Sequence, residues 1–313
     1  MSTAVEAAAT LPFAMEFGRP ATTVTPLARG AGLEFHIPLL AGAAREELFP
    51  GVARAQPVSG LQLFTSGDLL LGCATETVVE EGQLALQTQD LYRRILTAAR
   101  GHHLYRIWNY IPRINALSAG LENYRAFCQG RSLAFEAEAG AGFPRVLPSA
   151  SGVGTADGCL SVVFVAGHAD PRHVENPEQV PAYRYPLEHG PRPPSFCRAT
   201  VVPLAGRTLG FISGTAAIKG HHSVAPGDLS AQLDCTLDNL RLISVAAGFE
   251  ENLGADRKLS RHIKVYLRHA EDLKAVQTQL EQTLVKPTDH VTYLQADICR
   301  AELTVEIEVT LIS

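Results

Sequence analysis

Cysteine is scarce and scattered in this 313-residue sequence: six residues, at positions 73, 128, 159, 197, 235 and 299, no two within four of each other. Zinc sites show as closely spaced ligand pairs and small secreted scaffolds as dense cysteine frameworks, so reduced thiols are the expectation. A basic excess is missing as well. Against 27 Lys and Arg stand 32 Asp and Glu, a formal net charge of −5, with no block of five like charges. That excludes an electrostatic footprint for nucleic acid or for an anionic membrane surface. Apolar runs such as Ser161 to Gly167 fall well short of the ~20 residues of a spanning helix. The N-terminus carries Glu6 and reaches its first basic residue at Arg19, unlike a secretory signal, so a cytoplasmic protein is expected. HExxH, the P-loop and GxSxG do not occur, and Gly152-Val-Gly154 lacks the third glycine of a dinucleotide fingerprint.

What is present is an ordinary globular composition, 46% hydrophobic with 26 Gly and 19 Pro, and an internal repeat. In the first half Leu69 to Gly72 reads as a strand, the segment around Gln87 opens a helix through Leu91, Ile95 and Leu96, and Leu104 to Tyr110 reads as the next strand. The second half repeats the order with Thr208 to Ile212, a helix opened by Gln232 through Leu240, and Ile263 to Leu267. Gln87 and Gln232 align, with Ile95 and Leu240 at equal spacing behind them. A further helix through Leu273, Val276, Leu280 and Leu284 breaks at Pro287, and strands follow at Val291 to Leu294 and Leu303 to Leu311. The last strand alternates Leu303, Val305, Ile307, Val309 and Leu311 with Thr304, Glu306, Glu308 and Thr310, which sets two carboxylates in a row on one face. Two helix-backed mixed sheets are expected, joined by a Pro/Gly-rich stretch from Gly140 to Gly158. The loop from Pro171 to Ser195 holds seven prolines with Tyr183, Arg184, Tyr185 and Arg192, a composition and length that suit a functional loop.

Glu306 on a rigid strand is a candidate general acid or base, because partial desolvation raises a carboxyl toward neutrality; a solvent-facing, ion-paired glutamate is the alternative. Cys299-Arg300 lies close enough in sequence to share that end of the sheet. Arginines and tyrosines gather in Tyr105 to Arg113, in Glu122 to Arg125 with Arg131, in Tyr183 to Tyr185 and in Gly190 to Arg198. With the Ser213-Gly-Thr-Ala216 turn, whose amides face an anion in this reading, they suit a small cyclic acid carrying carboxylates. His102-His103 and His221-His222 are poor chelates, since neighbours on a strand point to opposite faces, and no metal site is expected.

These segments resemble the chorismatase family, whose fold is RidA/YjgF-like. The resemblance rests on Arg106-Ile-Trp-Asn-Tyr-Ile-Pro-Arg-Ile-Asn115, Gly120 to Arg131, Pro148 to Thr155, Ser195-Phe-Cys-Arg-Ala-Thr200, Phe211-Ile-Ser-Gly-Thr-Ala216 and Asp297 to Glu308, in order from about residue 60 onward. It implies an α+β chain of two RidA/YjgF-like (chorismate-mutase-like) halves, residues 1–145 and 146–313, the second carrying the catalytic glutamate. It implies cleavage of the enolpyruvyl ether of chorismate to pyruvate with no metal or organic cofactor. Glu306 is then the acid, Arg198 the foremost carboxylate clamp, and Tyr185, Tyr124, Arg131, Gly214, Thr215 and Ala216 its companions. Cys299 resembles the type that aromatises to 3-hydroxybenzoate, where the hydrolytic type carries glutamine. His189 stands before Gly190-Pro-Arg where a tyrosine is more familiar, and Ala216-Ala217 stands where a pure 3-hydroxybenzoate producer has a glycine nearby. A hydrolytic enzyme giving a dihydroxycyclohexadiene carboxylate, a mixed 3- and 4-hydroxybenzoate producer, and a RidA-like imine deaminase or small-molecule binder remain the alternatives. Duplicated halves suit a monomer, and the single-domain relatives' trimer stays open.

Overall fold

The computed structural model describes residues 11–25, 30–54, 57–78, 82–204, 206–257 and 259–313; Glu6 lies outside them. Two large mixed sheets form, their strands numbered here in chain order. The nine-stranded sheet runs, edge to edge, Ser149–Thr155 (β9), His103–Pro112 (β8), Cys159–Gly167 (β10), Leu69–Thr77 (β7), Gln62–Ser66 (β6), Arg45–Arg54 (β5), Leu11–Glu16 (β1), Ala31–Glu34 (β3) and Thr23–Val24 (β2). The seven-stranded sheet runs Arg172–Val174 (β11), Ala199–Leu204 (β12), Arg207–Thr215 (β13), Val305–Ile312 (β16), Ser260–Leu267 (β14), His290–Gln295 (β15) and Leu39–Gly42 (β4). Among the described residues four α-helices accompany them: Leu84–Ala98 (α1), Asn123–Ala139 (α2), Leu229–Ala247 (α3) and Leu273–Thr283 (α4).

The repeat read from the sequence is present and longer than the sequence pattern showed. The succession β6-β7-α1-β8-α2-β9-β10 recurs as β12-β13-α3-β14-α4-β15-β16, and each set lies in its sheet in the corresponding order. In both, the strand after the second helix pairs parallel to the strand before it, β9 on β8 and β15 on β14. A parallel return of this kind needs a crossover, which the helix supplies. The last strand of each set is then antiparallel to both its neighbours.

Periodicity decides which face each element buries. Helix α1 places Leu84, Thr88, Leu91, Tyr92 and Ile95 on one side, against the outer face of the first sheet. Helix α3 starts where the Asp228 side chain accepts from the Ala231 amide at 3.0 Å, and stops at Gly248, whose φ of 83° is left-handed. Its Leu233, Leu240 and Ile243 pack on Val305, Ile307, Val309 and Leu311, the outer face of β16. The inner faces of the two sheets meet each other, with Trp108, Tyr110, Val163 and Val165 from one sheet against Phe211, Tyr266 and Leu294 from the other. The layers are therefore helix, sheet, sheet, helix, and the polar face of β16 is held between sheets instead of in solvent.

The expected linker from Gly140 to Gly158 is a difference. After a short helical turn at Gly140–Val146 the chain forms β9, an edge strand of the first sheet. Sheet membership changes between Gly167 and Arg172 rather than at residue 145, since β9 and β10 complete the first sheet. The N-terminal segment also lends β4 to the edge of the second sheet, pairing with β15. The last strand begins at Val305, although Leu303 is already buried. Among the described residues, no helix is long and apolar enough to cross a membrane.

Candidate active site

Strand alternation puts Glu306 and Glu308 on the same face of β16, and the layer order buries both, at 3% and 2% exposure. Their surroundings differ. Glu308 Oε1 receives a hydrogen bond from the Trp108 indole at 2.8 Å and has Lys264 Nζ 2.8 Å away, and its Oε2 receives the Arg106 guanidinium at 2.8 Å and the Ser151 hydroxyl. Burial alone raises this carboxyl, but the Lys264 and Arg106 charges override it and hold it below the usual carboxylate range. Glu308 is a fixed anion. Lys264 also pairs with buried Glu46, which ties the N-terminal segment into the same network.

Glu306 has no such cage, and its Oε1 is without a hydrogen-bond partner among the described residues. Burial pushes its carboxyl from the ordinary 4.5 up to about 8, the neighbouring Glu308 charge adds to the rise, and Arg106 and Arg198 partly offset it. At neutral pH it is a protonated acid with an open oxygen. Gly214 on β13 makes room for it: a Cβ there would lie 2.0 Å from Glu306 Oε1. The Gly214 amide is already committed to Ser151 Oγ at 3.0 Å. The glycine thus serves by absence of a side chain, and its amide does not face an anion as the sequence suggested.

Glu306 forms the floor of a cavity of about 270 Å³ whose walls include Tyr124, Arg125, Tyr185, Phe196, Arg198, Cys299 and Arg300. Arg198, 5% exposed, donates to the Tyr185 hydroxyl at 2.7 Å and lies with its guanidinium carbon 5.0 Å from the Phe196 ring centre. Its Nε has no partner among the described residues. Arg300 stands 5.5 Å from the Tyr185 ring centre and donates to Ser223 Oγ at 3.0 Å. Behind Glu306 a recess of about 30 Å³ is lined by Arg131, Ser151, Gly152 and Cys299 among others. Burial first, and then the Glu306 charge, push the Cys299 thiol up to about 12, so it is a neutral wall and no nucleophile. Aromatic faces, the Arg198 and Arg300 guanidinium groups and one neutral carboxyl can stack a flat ring, hold negative charge and give up a proton.

Comparison with known proteins identifies the family. The family model described as "Chorismatase FkbO/Hyg5-like, N-terminal" matches residues 50–166. A crystal structure of a chorismatase superposes with a TM-score of 0.82 at 31% identity, covering 99% of this chain and 95% of that one. A 3-hydroxybenzoate synthase of Streptomyces hygroscopicus is 40% identical over 217 residues, 66% of this chain and 62% of that protein, so the match spans under two thirds of its length. A chorismatase of Streptomyces rapamycinicus is 40% identical over 257 residues, 77% of this chain and 74% of that protein. The chain belongs to the chorismatase family.

Within this chorismatase-family fold, the sequence-derived candidates converge in part. Glu306, Cys299, Arg198, Tyr185, Tyr124, Gly214 and Ala216 all line the cavity. Arg131 reaches only the inner recess, buried on α2 with its guanidinium carbon 5.0 Å from the Phe127 ring centre. Thr215 does not line the cavity; it is buried and its hydroxyl donates to the Ser213 carbonyl at 2.8 Å. Of the arginine-bearing segments, Arg106 serves Glu308, Arg192 pairs with Glu136 at 2.6 Å, and Arg113 lies exposed elsewhere. The Pro171 to Ser195 loop does pass over the site, contributing Tyr185, His189 and Pro194. Sequence reasoning missed Ser151, Lys264 and Glu46. Lys264 carried a signal, a charged residue between the apolar Ile263 and Val265, whereas Ser151 and Glu46 stand among small or charged neighbours that hid them.

Proposed function

We propose that the chain cleaves the enolpyruvyl ether of chorismate, releasing pyruvate and a hydroxybenzoate, 3-hydroxybenzoate foremost with 4-hydroxybenzoate as a minor product, and that Glu306 is the general acid. The supporting observation is the neutral Glu306 carboxyl with its open oxygen at the floor of an arginine- and tyrosine-walled cavity. A pKa close to the working pH suits an acid that must be both loaded and willing to donate.

In this reading Glu306 protonates the terminal methylene carbon, and the double-bond electrons leave an oxocarbenium centre at the ether-bearing carbon. The ring carbon–oxygen bond breaks with its electrons on oxygen, which gives pyruvate as the ketone. The neighbouring ring hydroxyl closes on the carbon left behind as an epoxide and gives its proton to the Glu306 carboxylate; the oxygen's original ring bond then breaks, and the ring C–H proton lost on aromatisation passes to that oxygen as the phenol. Hydroxybenzoate and pyruvate together contain every atom of chorismate, so no water is consumed. Arg198 and Arg300 hold the two substrate carboxylates, and Arg198 with Arg106 steadies Glu306 once it is ionised. The fixed charge of Glu308 favours the protonated form beforehand. A second reading, hydrolysis to a dihydroxycyclohexadiene carboxylate, is supported by the inner recess, whose 30 Å³ is room for a water with Glu306, Ser151 and Arg131 on its walls.

The test is incubation of the metal-free protein with chorismate, with pyruvate followed by a coupled assay and the organic acids separated by chromatography. Pyruvate with 3-hydroxybenzoate, lost in Glu306→Gln, supports the proposal. A dihydrodiol peak moves it to the hydrolytic type. No pyruvate from folded protein refutes it and directs attention to imine substrates.

A further inference from the structure

The cavity mouth is flanked by two segments: the loop turn Leu187–His189 and the small hairpin of Ile218–Lys219 and His222–Ser223. Here His189 Nε2 and His221 Nδ1 lie 3.0 Å apart, and Glu188 Oε1 lies 3.3 Å from each of them. Two ligands bound to zinc at about 2.0–2.1 Å in a tetrahedral arrangement stand about 3.3–3.4 Å from each other. The three donor atoms already have nearly that spacing without an ion. Hydrogen bonding alone accounts for them poorly. A neutral imidazole carries one N–H, so a proton between the two ring nitrogens leaves the carboxylate oxygen facing an electron pair. The rings are also restrained: His189 packs 5.2 Å from the Tyr185 ring centre and His221 6.2 Å from it. The adjacent-histidine argument against chelation holds for His221 with His222, which gives no donor to the cluster. It does not apply to a histidine brought in from another segment.

We propose that Glu188, His189 and His221 form a site for a divalent transition ion of the zinc class at the entrance of the cavity, separate from the acid chemistry at its floor. Two imidazoles and a carboxylate oxygen are a three-ligand set that leaves the fourth tetrahedral position for water. The ion bridges the loop that carries Tyr185 to the hairpin that holds Arg300 through Ser223, so it pins both banks of the mouth. Its effect is on ligand entry and release and not on the proton transfer.

The experiment is titration of chelator-stripped full-length protein with Zn²⁺ by calorimetry, in a buffer that does not bind the metal, on wild type, His189→Ala, His221→Ala and His222→Ala. The expected result is one ion per chain in wild type and His222→Ala, with affinity reduced at least tenfold in each of the other two. Circular dichroism checks that all four are folded, and hydrogen exchange of residues 186–190 and 218–223 slows on zinc addition in wild type and His222→Ala and not in the other two. Absence of saturable one-to-one uptake in wild type, or uptake undiminished in both His189→Ala and His221→Ala, overturns the site. Neither result depends on which substrate the cavity takes.

Discussion

Replacing Glu306 by glutamine removes the titrating group but keeps its shape, and the consequence for stability follows from the carboxyl's elevation to about 8 against an ordinary 4.5. Below pH 4.5 the group is protonated in folded and unfolded chains alike and contributes nothing to the pH dependence. Between 4.5 and 8 it is protonated when folded and ionised when unfolded, so unfolding releases a proton and stability falls as pH rises. Above 8 both states are ionised and the penalty is complete. Each pH unit is worth about 1.4 kcal/mol. At pH 7 the wild-type protein therefore carries a cost of about 3 kcal/mol that glutamine lacks, and above pH 8 about 5 kcal/mol. Urea unfolding followed by circular dichroism at a series of pH values measures the gap. Glu306→Gln should match wild type near pH 4.5, draw ahead steadily to pH 8 and then run parallel, while losing its activity. Stability curves that stay parallel from pH 5 to 9, or a variant weaker throughout, would refute the assignment of Glu306 as a buried neutral acid.

The same titration should set the alkaline limb of wild-type kcat/KM, which falls tenfold per pH unit above about 8 as the acid is lost; a flat profile to pH 9 counts against the proton-donor role. Gly214→Ala should lower kcat by about a hundredfold or more while melting close to wild type, because its methyl displaces the flexible end of Glu306 and not the backbone. Tyr185→Phe removes the 2.7 Å partner of Arg198 and should raise KM about fivefold with kcat nearly unchanged, the signature of lost ground-state positioning. Cys299→Gln, which puts an amide beside the recess and the acid, should raise the dihydrodiol fraction of the products; an unchanged ratio argues that water is positioned elsewhere.

The elements that alternate or recur cleanly were legible before any coordinates. Val305 to Leu311 shows its two faces in its spelling, and Leu84 to Ile95 shows a helical stripe. Ser149-Ala-Ser-Gly-Val-Gly-Thr155 did not read as a strand because its residues are small and show no apolar alternation. Its smallness has local causes: Ser151 and Gly152 border the recess, and a Cβ at Gly154 would lie 2.7 Å from Ile114 and 2.9 Å from Asp297. A residue chosen to make room leaves little periodic signal. Likewise the carboxylate pair was visible, but its fates were not, since the difference between Glu306 and Glu308 comes from Arg106, Trp108 and Lys264, partners 40 to about 200 positions away that only the facing of two sheets brings close.

The paired sets of strands have a consequence for symmetry. Across a two-fold contact between two identical chains both sides are the same patch, so a carboxylate placed at such an interface appears again on the opposite side. Here the two sheets that face each other belong to one chain, and the strand corresponding to β16 in the first set, Cys159-Leu-Ser-Val-Val-Phe-Val-Ala-Gly167, contains no ionisable carboxylate at all. The second sheet supplies Glu306 and Glu308 with Lys264 beside them, and the first supplies Arg106, Trp108 and Ser151 to restrain Glu308, with Glu46 paired back to Lys264. Two facing sheets in one chain thus permit a division of labour that repeats facing each other across a two-fold axis cannot adopt, because there every change on one side is imposed on the other.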